Sequence, residues 1–204
     1  HDLPYVTLKA GISLDSKIAT SANDSKWITN ALARKDARVI RSQHDAVIVG
    51  SGTIRADNPT LNTVAPYTKK RLLKVIIDKD LSLKGTFNIL KDNNLLIAHT
   101  DLAKKKNIKY FKNKGINIQS FGKKRVNIKK LLKYLHSNSI NSVFIEGGSK
   151  VHGSFYDAFK NNQYLIDRVL FYVSPVIIAG ENSKSVIGGK GATKLSELRT
   201  LKNL

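Results

Sequence analysis

The 204-residue chain is long enough to bury a core of its own, and 41% hydrophobic content is ordinary for a globular domain. The absence of cysteine excludes disulfides, thiolate metal sites and cysteine nucleophiles. No apolar run approaches the ~20 residues of a membrane span, and the formal charge of +20 points toward anionic ligands.

Tyr5 to Ser13 reads as a strand with Val6, Leu8 and Ala10 on one face. Lys9 lies inside it and is costly if buried without a partner; the alternative is an edge-strand lysine facing water. Ala31 to Gln43 reads as a helix capped by Thr29 or Asn30, with Leu32, Ala33, Ala37, Val39 and Ile40 as its apolar stripe. Arg34, Arg38 and Arg41 share a ridge on its other side. Ala46 to Val49 reads as a buried strand emptying into Gly50-Ser51-Gly52-Thr53 and then Asp57-Asn58-Pro59. Strand followed by Gly-rich turn is how α/β proteins hold phosphates. Yet Arg55 stands where G-x-G-x-x-G needs a third glycine, so the usual dinucleotide fingerprint is excluded.

Further strands are expected at Lys74 to Asp78, Leu95 to His99 and Ile116 to Phe121, the last after a helix over Ala103 to Lys112. Twelve basic residues fall between Lys104 and Lys133. Such a run is either a polyanion surface or a set of solvated faces. The second is favoured, because aromatics interleave it only sparsely, at Tyr110, Phe111 and Phe121. Ile128, Leu131, Leu132 and Leu135 predict a helix capped by Asn127. Val143 to Ile145 is a short buried strand running into Glu146-Gly147-Gly148-Ser149. Val151, Phe155 and Phe159 then form the buried side of a helix, and Arg168 to Pro175 alternates as a last strand. Asp92-Asn93-Asn94 and residues 161–163 read as turns, Gly188 to Gly191 as a loop. Strands alternating with helices give an α/β fold, a single domain with both faces of its sheet covered. The five histidines show no metal-ligand spacing, so no metal is expected.

Two glycine turns therefore follow buried strands and open helical segments. In a largely parallel sheet such ends share one edge, where ligands bind. Each alone is better read as a tight turn; together, beside an arginine ridge, they favour a dinucleotide with its phosphates spread along its length. Glu146 is one of three glutamates and stands where an N-cap is more usually Ser, Thr, Asp or Asn. Asp57 is either a site carboxylate or a turn former before Pro59.

The stretches LKAGISLDSKIAT, SKWITNALARKDARVIRSQHDAVIVGSGTIRADNPTLN and VFIEGGSKVHGSF closely resemble the reductase half of the bifunctional riboflavin-biosynthesis deaminase/reductase, over about residues 4–180. The resemblance implies a dihydrofolate-reductase-like fold with a central, mostly parallel mixed sheet and helices on both faces. It implies NADPH-dependent reduction of 5-amino-6-(5-phosphoribosylamino)uracil to the ribitylamino compound, by hydride transfer to C1 of the ring-opened sugar. Carried over by position, cofactor contacts fall on Gly11, Trp27, Thr53, Asp57, Gly147, Gly148, Ser149, Lys150 and Val151, and substrate contacts on Ser25, Arg41, Leu61 and Glu146. Lys9, Glu146 and Asp57 become the catalytic candidates, with Lys9 hydrogen-bonding the open-chain sugar or donating a proton to it. Arg41 suits the ribose phosphate, Trp27 offers a flat wall beside the cofactor with a plain core position as its alternative, and Lys79 is the candidate for the 2′-phosphate of NADPH.

Three departures stand out. Ser16 replaces a usual glycine, and Val64 lies near the place of an arginine that holds the substrate phosphate, leaving Arg38, Lys69 or Lys70 to substitute. The resemblance implies one more strand after LSELRTLKNL, where the sequence stops. A zinc deaminase needs an H-x-E and P-C-x-x-C ligand pattern, so no deaminase domain is expected within these residues. The expected setting is a cytoplasmic homodimer acting on a phosphorylated pyrimidine. The alternatives are a reductase of the undeaminated diaminopyrimidinone, a related fold with another pteridine or pyrimidine substrate, and a basic nucleic-acid-binding module.

Overall fold

Five-residue runs of β-branched and aliphatic residues set the centre of the structure, a computed structural model that describes residues 2–64, 71–158 and 165–198. β1 (Tyr5–Ile12), β3 (Ala46–Gly50), β4 (Leu73–Ile77), β5 (Leu95–His99), β6 (Asn117–Ser120), β7 (Ser142–Ile145) and β8 (Arg168–Val173) form one seven-stranded sheet in the order β6-β5-β4-β3-β7-β1-β8. Every pairing in it is parallel. The antiparallel component is confined to a separate ribbon of β2 (Lys17–Ala19) and β9 (Lys184–Ser185), too short to leave a periodic signal in the sequence.

The central strands are buried on both faces, as parallel sheets require. In β3, Ala46 and Ile48 join one core cluster and Val47 and Val49 the other, the alternation expected of a strand. The first core is closed by α4 (Ile128–Ser137), through Leu131, Leu132 and Leu135, and by α5 (Ser149–Asp157), through Val151 and Phe155. The second is closed by α1 (Ala31–Ser42), α2 (Ser51–Asp57) and α3 (Lys105–Asn113), through Ile40, Ile54 and Phe111. Helix starts are fixed as the sequence indicates: Asn30 Oδ1 accepts from Ala33 N at 2.9 Å, and Asn127 Oδ1 from Lys130 N at 3.0 Å.

One helix face departs from the expected stripe. Leu32 is 75% exposed, whereas Ala37, Arg41 and Ser42 are buried. Leu32 precedes Ala37 by five residues and so sits about 140° around the helix from it. The lysines of the basic run, including Lys105, Lys109, Lys129 and Lys133, lie exposed on the outer faces of α3 and α4. No helix among the described residues is long and apolar enough to cross a membrane. Phe159, Lys69, Lys70 and the turn at 161–163 lie outside the described residues.

The order of the strands makes the site. β7 inserts between β3 and β1, in a register that sets Ile145 beside both Ile48 and Leu8. From these neighbouring ends α2 leaves toward one face of the sheet and α5 toward the other. That divergence opens a crevice at the carboxyl ends of β3 and β7, the usual place for ligands in an open α/β sheet.

Candidate functional site

Glu146 is the first residue past β7, and its backbone N–H donates to Ile48 O at 3.0 Å, which holds it at the crevice. Its carboxylate lies between two cations. Arg41 Nη1, from the last turn of α1, is 2.7 Å from Oε2, and Lys9 Nζ, from β1, is 3.8 Å from Oε1. Arg41 Nη2 donates in turn to Asn62 O at 2.7 Å. The arginine is buried, with both terminal nitrogens engaged inside the protein, so its guanidinium fixes Glu146 and the segment after Pro59. It does not stand on a solvated ridge with Arg34 and Arg38. The reason is tertiary: a long side chain leaning toward the helix N-terminus reaches a carboxylate 105 residues away.

Lys9 is not an edge-strand lysine, because β1 is flanked by β7 and β8. Its Nζ lies 5.7 Å from the ring centroid of Tyr172 on β8. The Tyr172 hydroxyl donates to Asp36 Oδ2 at 2.6 Å, and burial followed by this carboxylate raises its pKa. Tyr172, Asp36 and Asn62 gave no signal as site neighbours in the sequence, since nothing local to them carries the pairing.

The two glycine turns meet. A Cβ on Gly148 would stand 3.7 Å from Thr53 Oγ1, and one on Gly50 or Gly147 would run into the Val151 side chain, at 2.8 and 2.5 Å respectively. Gly148 caps α5 with no side chain on its first N–H groups, and Ser149, Lys150 and Val151 form that first turn. Bare backbone from two turns, facing one crevice, suits the phosphates of a dinucleotide. Gly11 is small for a separate reason: a Cβ there would lie 2.8 Å from Thr29 Cγ2.

The remaining candidates fall around this centre. Trp27 is 70% exposed, so it is not a core residue, and the Arg34 guanidinium stacks 4.2 Å from its ring centroid. Asp57, the last residue of α2, pairs with Lys26 at 3.5 Å, tying that helix to the Ser25–Trp27 loop rather than to Lys9 and Glu146. Leu61 is buried in the core at φ +52, so its side chain anchors the segment that Arg41 grips. Lys79 is exposed beyond the end of β4. The Gly188 loop folds onto α5, with Gly188 N donating to Ser149 O at 3.0 Å. Beneath it, fully buried His152 donates from Nδ1 to Val186 O at 2.8 Å. Burial first, and then the charge of Lys9, lower the pKa of this imidazole.

The family model described as the RibD C-terminal domain matches residues 4–203. The riboflavin biosynthesis protein RibD of Bacillus amyloliquefaciens is 39% identical over 201 residues, covering 96% of this chain and 52% of the relative. A protein of Buchnera aphidicola named 5-amino-6-(5-phosphoribosylamino)uracil reductase is 33% identical, covering 78% of this chain and 79% of its own length. Among solved structures, Acinetobacter baumannii RibD aligns with a TM-score of 0.78 at 25% identity, covering 97% of this chain and 53% of that one. The chain thus spans about half the length of the RibD proteins it matches.

Proposed function

Because the chain belongs to the RibD C-terminal domain family, we propose that it reduces 5-amino-6-(5-phosphoribosylamino)uracil to the ribitylamino compound, using NADPH in preference to NADH. The observation that carries this reading is the Lys9–Glu146–Arg41 group beside two facing glycine turns. A Rossmann-type dehydrogenase needs a glycine at the position of Arg55; here a second turn, from β7, supplies the missing bare backbone. The name borne by the Buchnera relative supports the substrate.

The cofactor would supply a hydride to C1 of the sugar. Gly147 to Val151 and Thr53 would hold its phosphates, Gly11 and Trp27 would border it, Asp57 would fix the loop that carries Trp27, and Lys79 would meet its 2′-phosphate. Glu146 accepts hydrogen bonds from the substrate while Arg41 keeps the carboxylate in place. Lys9, whose Nζ lies 3.8 Å from the same carboxylate, would hydrogen-bond the open-chain sugar or donate a proton to it as C1 is reduced. Ser25, in the loop that carries Trp27, would contact the substrate. Exposed Leu14, Val176 and Ile177, joined by the Leu14 N to Val176 O bond of 2.8 Å, support a homodimer through this apolar patch.

The test is NADPH oxidation with the deaminated and the undeaminated phosphoribosylamino-pyrimidine side by side. Turnover of the uracil compound is the expected result. Turnover of the diaminopyrimidinone alone would reassign the substrate, and no turnover of either would remove the reading.

A further inference from the structure

Lys9 Nζ stands 3.8 Å from Glu146 Oε1, longer than a hydrogen bond, so the two charges face each other without closing. A lysine is a point charge on a flexible four-carbon stem. Left to the carboxylate alone, it would swing in to hydrogen-bond Glu146, and its N–H groups would be spent there.

A second support comes from β8. Tyr172 is registered opposite Gly11, so it shares a sheet face with Lys9, two residues earlier on β1. Gly11 itself carries no side chain, and the Lys9 ammonium lies over the Tyr172 ring, 5.7 Å from its centroid. A ring face attracts a cation within that distance. The ring is pinned in turn, because its hydroxyl donates to Asp36 Oδ2 at 2.6 Å. Burial and then that carboxylate raise the Tyr172 pKa, so the phenol stays protonated and neutral near pH 7. Asp36 and Arg41 both belong to α1. One helix therefore fixes the two groups that face Lys9: Glu146 through Arg41, and Tyr172 through Asp36.

We propose that Tyr172 is a positioning residue, whose ring holds the Lys9 ammonium off Glu146 and keeps its N–H groups for the substrate. The proposal rests on the reading of Lys9 given above, as the residue that meets the open-chain sugar. Its test compares wild type with Tyr172→Leu, which removes the ring, and Tyr172→Phe, which keeps it. Tyr172 is half-buried on an edge strand, where a leucine is accommodated. NADPH oxidation with 5-amino-6-(5-phosphoribosylamino)uracil supplies kcat and KM. The Lys9 resonance of the chain labelled with carbon-13 at lysine Cε, identified by its loss in Lys9→Arg, supplies a reading that needs no substrate.

Misplacing a reacting group by about 1 Å costs up to about 10²-fold in rate. Tyr172→Leu should therefore lower kcat by about 10- to 100-fold with KM little changed, and Tyr172→Phe should recover most of that loss. The Lys9 resonance should carry a ring-current displacement in wild type and in Tyr172→Phe that vanishes in Tyr172→Leu. Wild-type kcat in Tyr172→Leu, a Tyr172→Phe enzyme as slow as Tyr172→Leu, or a Lys9 resonance identical in all three chains overturns the proposal. Should the wild-type chain turn over no substrate, the functional reading fails on its own, and the resonance decides the positioning: a displacement lost only in Tyr172→Leu upholds it, and no displacement overturns it.

Discussion

Replacing Arg41 by alanine removes two interactions at once: the 2.7 Å contact with Glu146 Oε2 and the 2.7 Å bond to Asn62 O. Glu146, only 12% exposed at its side chain, keeps Lys9 at 3.8 Å as its remaining counter-ion. Removing one member of a buried pair leaves an uncompensated charge and costs about 3–5 kcal/mol. The surviving Lys9 places this case near the lower end, at about 3 kcal/mol. For a chain of this size that lowers the melting temperature by roughly 6–12 °C. Because the carboxylate also loses its anchor, kcat should fall by about 10- to 100-fold. An arginine that merely gripped the substrate's phosphate would instead raise KM and leave kcat alone. The decisive measurement is a double-mutant cycle with Glu146→Gln, read by chemical denaturation and by steady-state kinetics. The two substitutions should couple by about 2 kcal/mol, since each destroys the same contact. Additivity within about 0.5 kcal/mol, or an effect of Arg41→Ala on KM alone, would refute the assignment of Arg41 as the residue that positions Glu146.

Glu146→Gln by itself should retain the fold and cofactor affinity while lowering turnover by on the order of 10²-fold, and full turnover would remove Glu146 from the chemistry. Gly153→Ala places a Cβ 2.3 Å from the carbonyl group of Gly188, a backbone contact that cannot swing aside. A loss of about 1–3 kcal/mol is expected, and a wild-type denaturation midpoint would show that the loop does not close on α5 as described. His152 has a folded-state pKa below its ordinary 6.5, chiefly from burial, so the unfolded chain takes up the proton first on acidification. Its contribution to stability is therefore intact above about pH 6.5 and is lost as pH falls through the lowered folded value. Denaturation midpoints measured between pH 7 and 5 should decline less steeply in His152→Gln than in wild type; parallel declines would clear this histidine. Asp15, held down to about 2 by the Ser13 hydroxyl and then by the Ile178 amide, should titrate well below an ordinary aspartate, and its carboxyl resonance followed by NMR from pH 5 to 1.5 checks this.

The alternation of short aliphatic runs with capped helices was enough to specify an α/β sheet, because strands buried on both faces leave an unmistakable β-branched signature. Leu95–His99 and the Asn127-capped helix are legible at their ends for the same local reasons: side-chain caps and periodicity act within a few residues. The two glycine turns and Glu146 were visible too, since bare backbone and a rare carboxylate at strand ends are local anomalies. What the sequence could not provide was the pairing order. Only the insertion of β7 between β3 and β1 sets Glu146 beside Lys9 and brings Gly148 against Thr53. The burial of Arg41 was equally hidden, because one helical ridge carries three arginines that local chemistry cannot tell apart. A carboxylate 105 residues along the chain selects the one that turns inward. Local propensity determined the elements; long-range register and charge pairing, which no window of sequence contains, decided which side chains share the site.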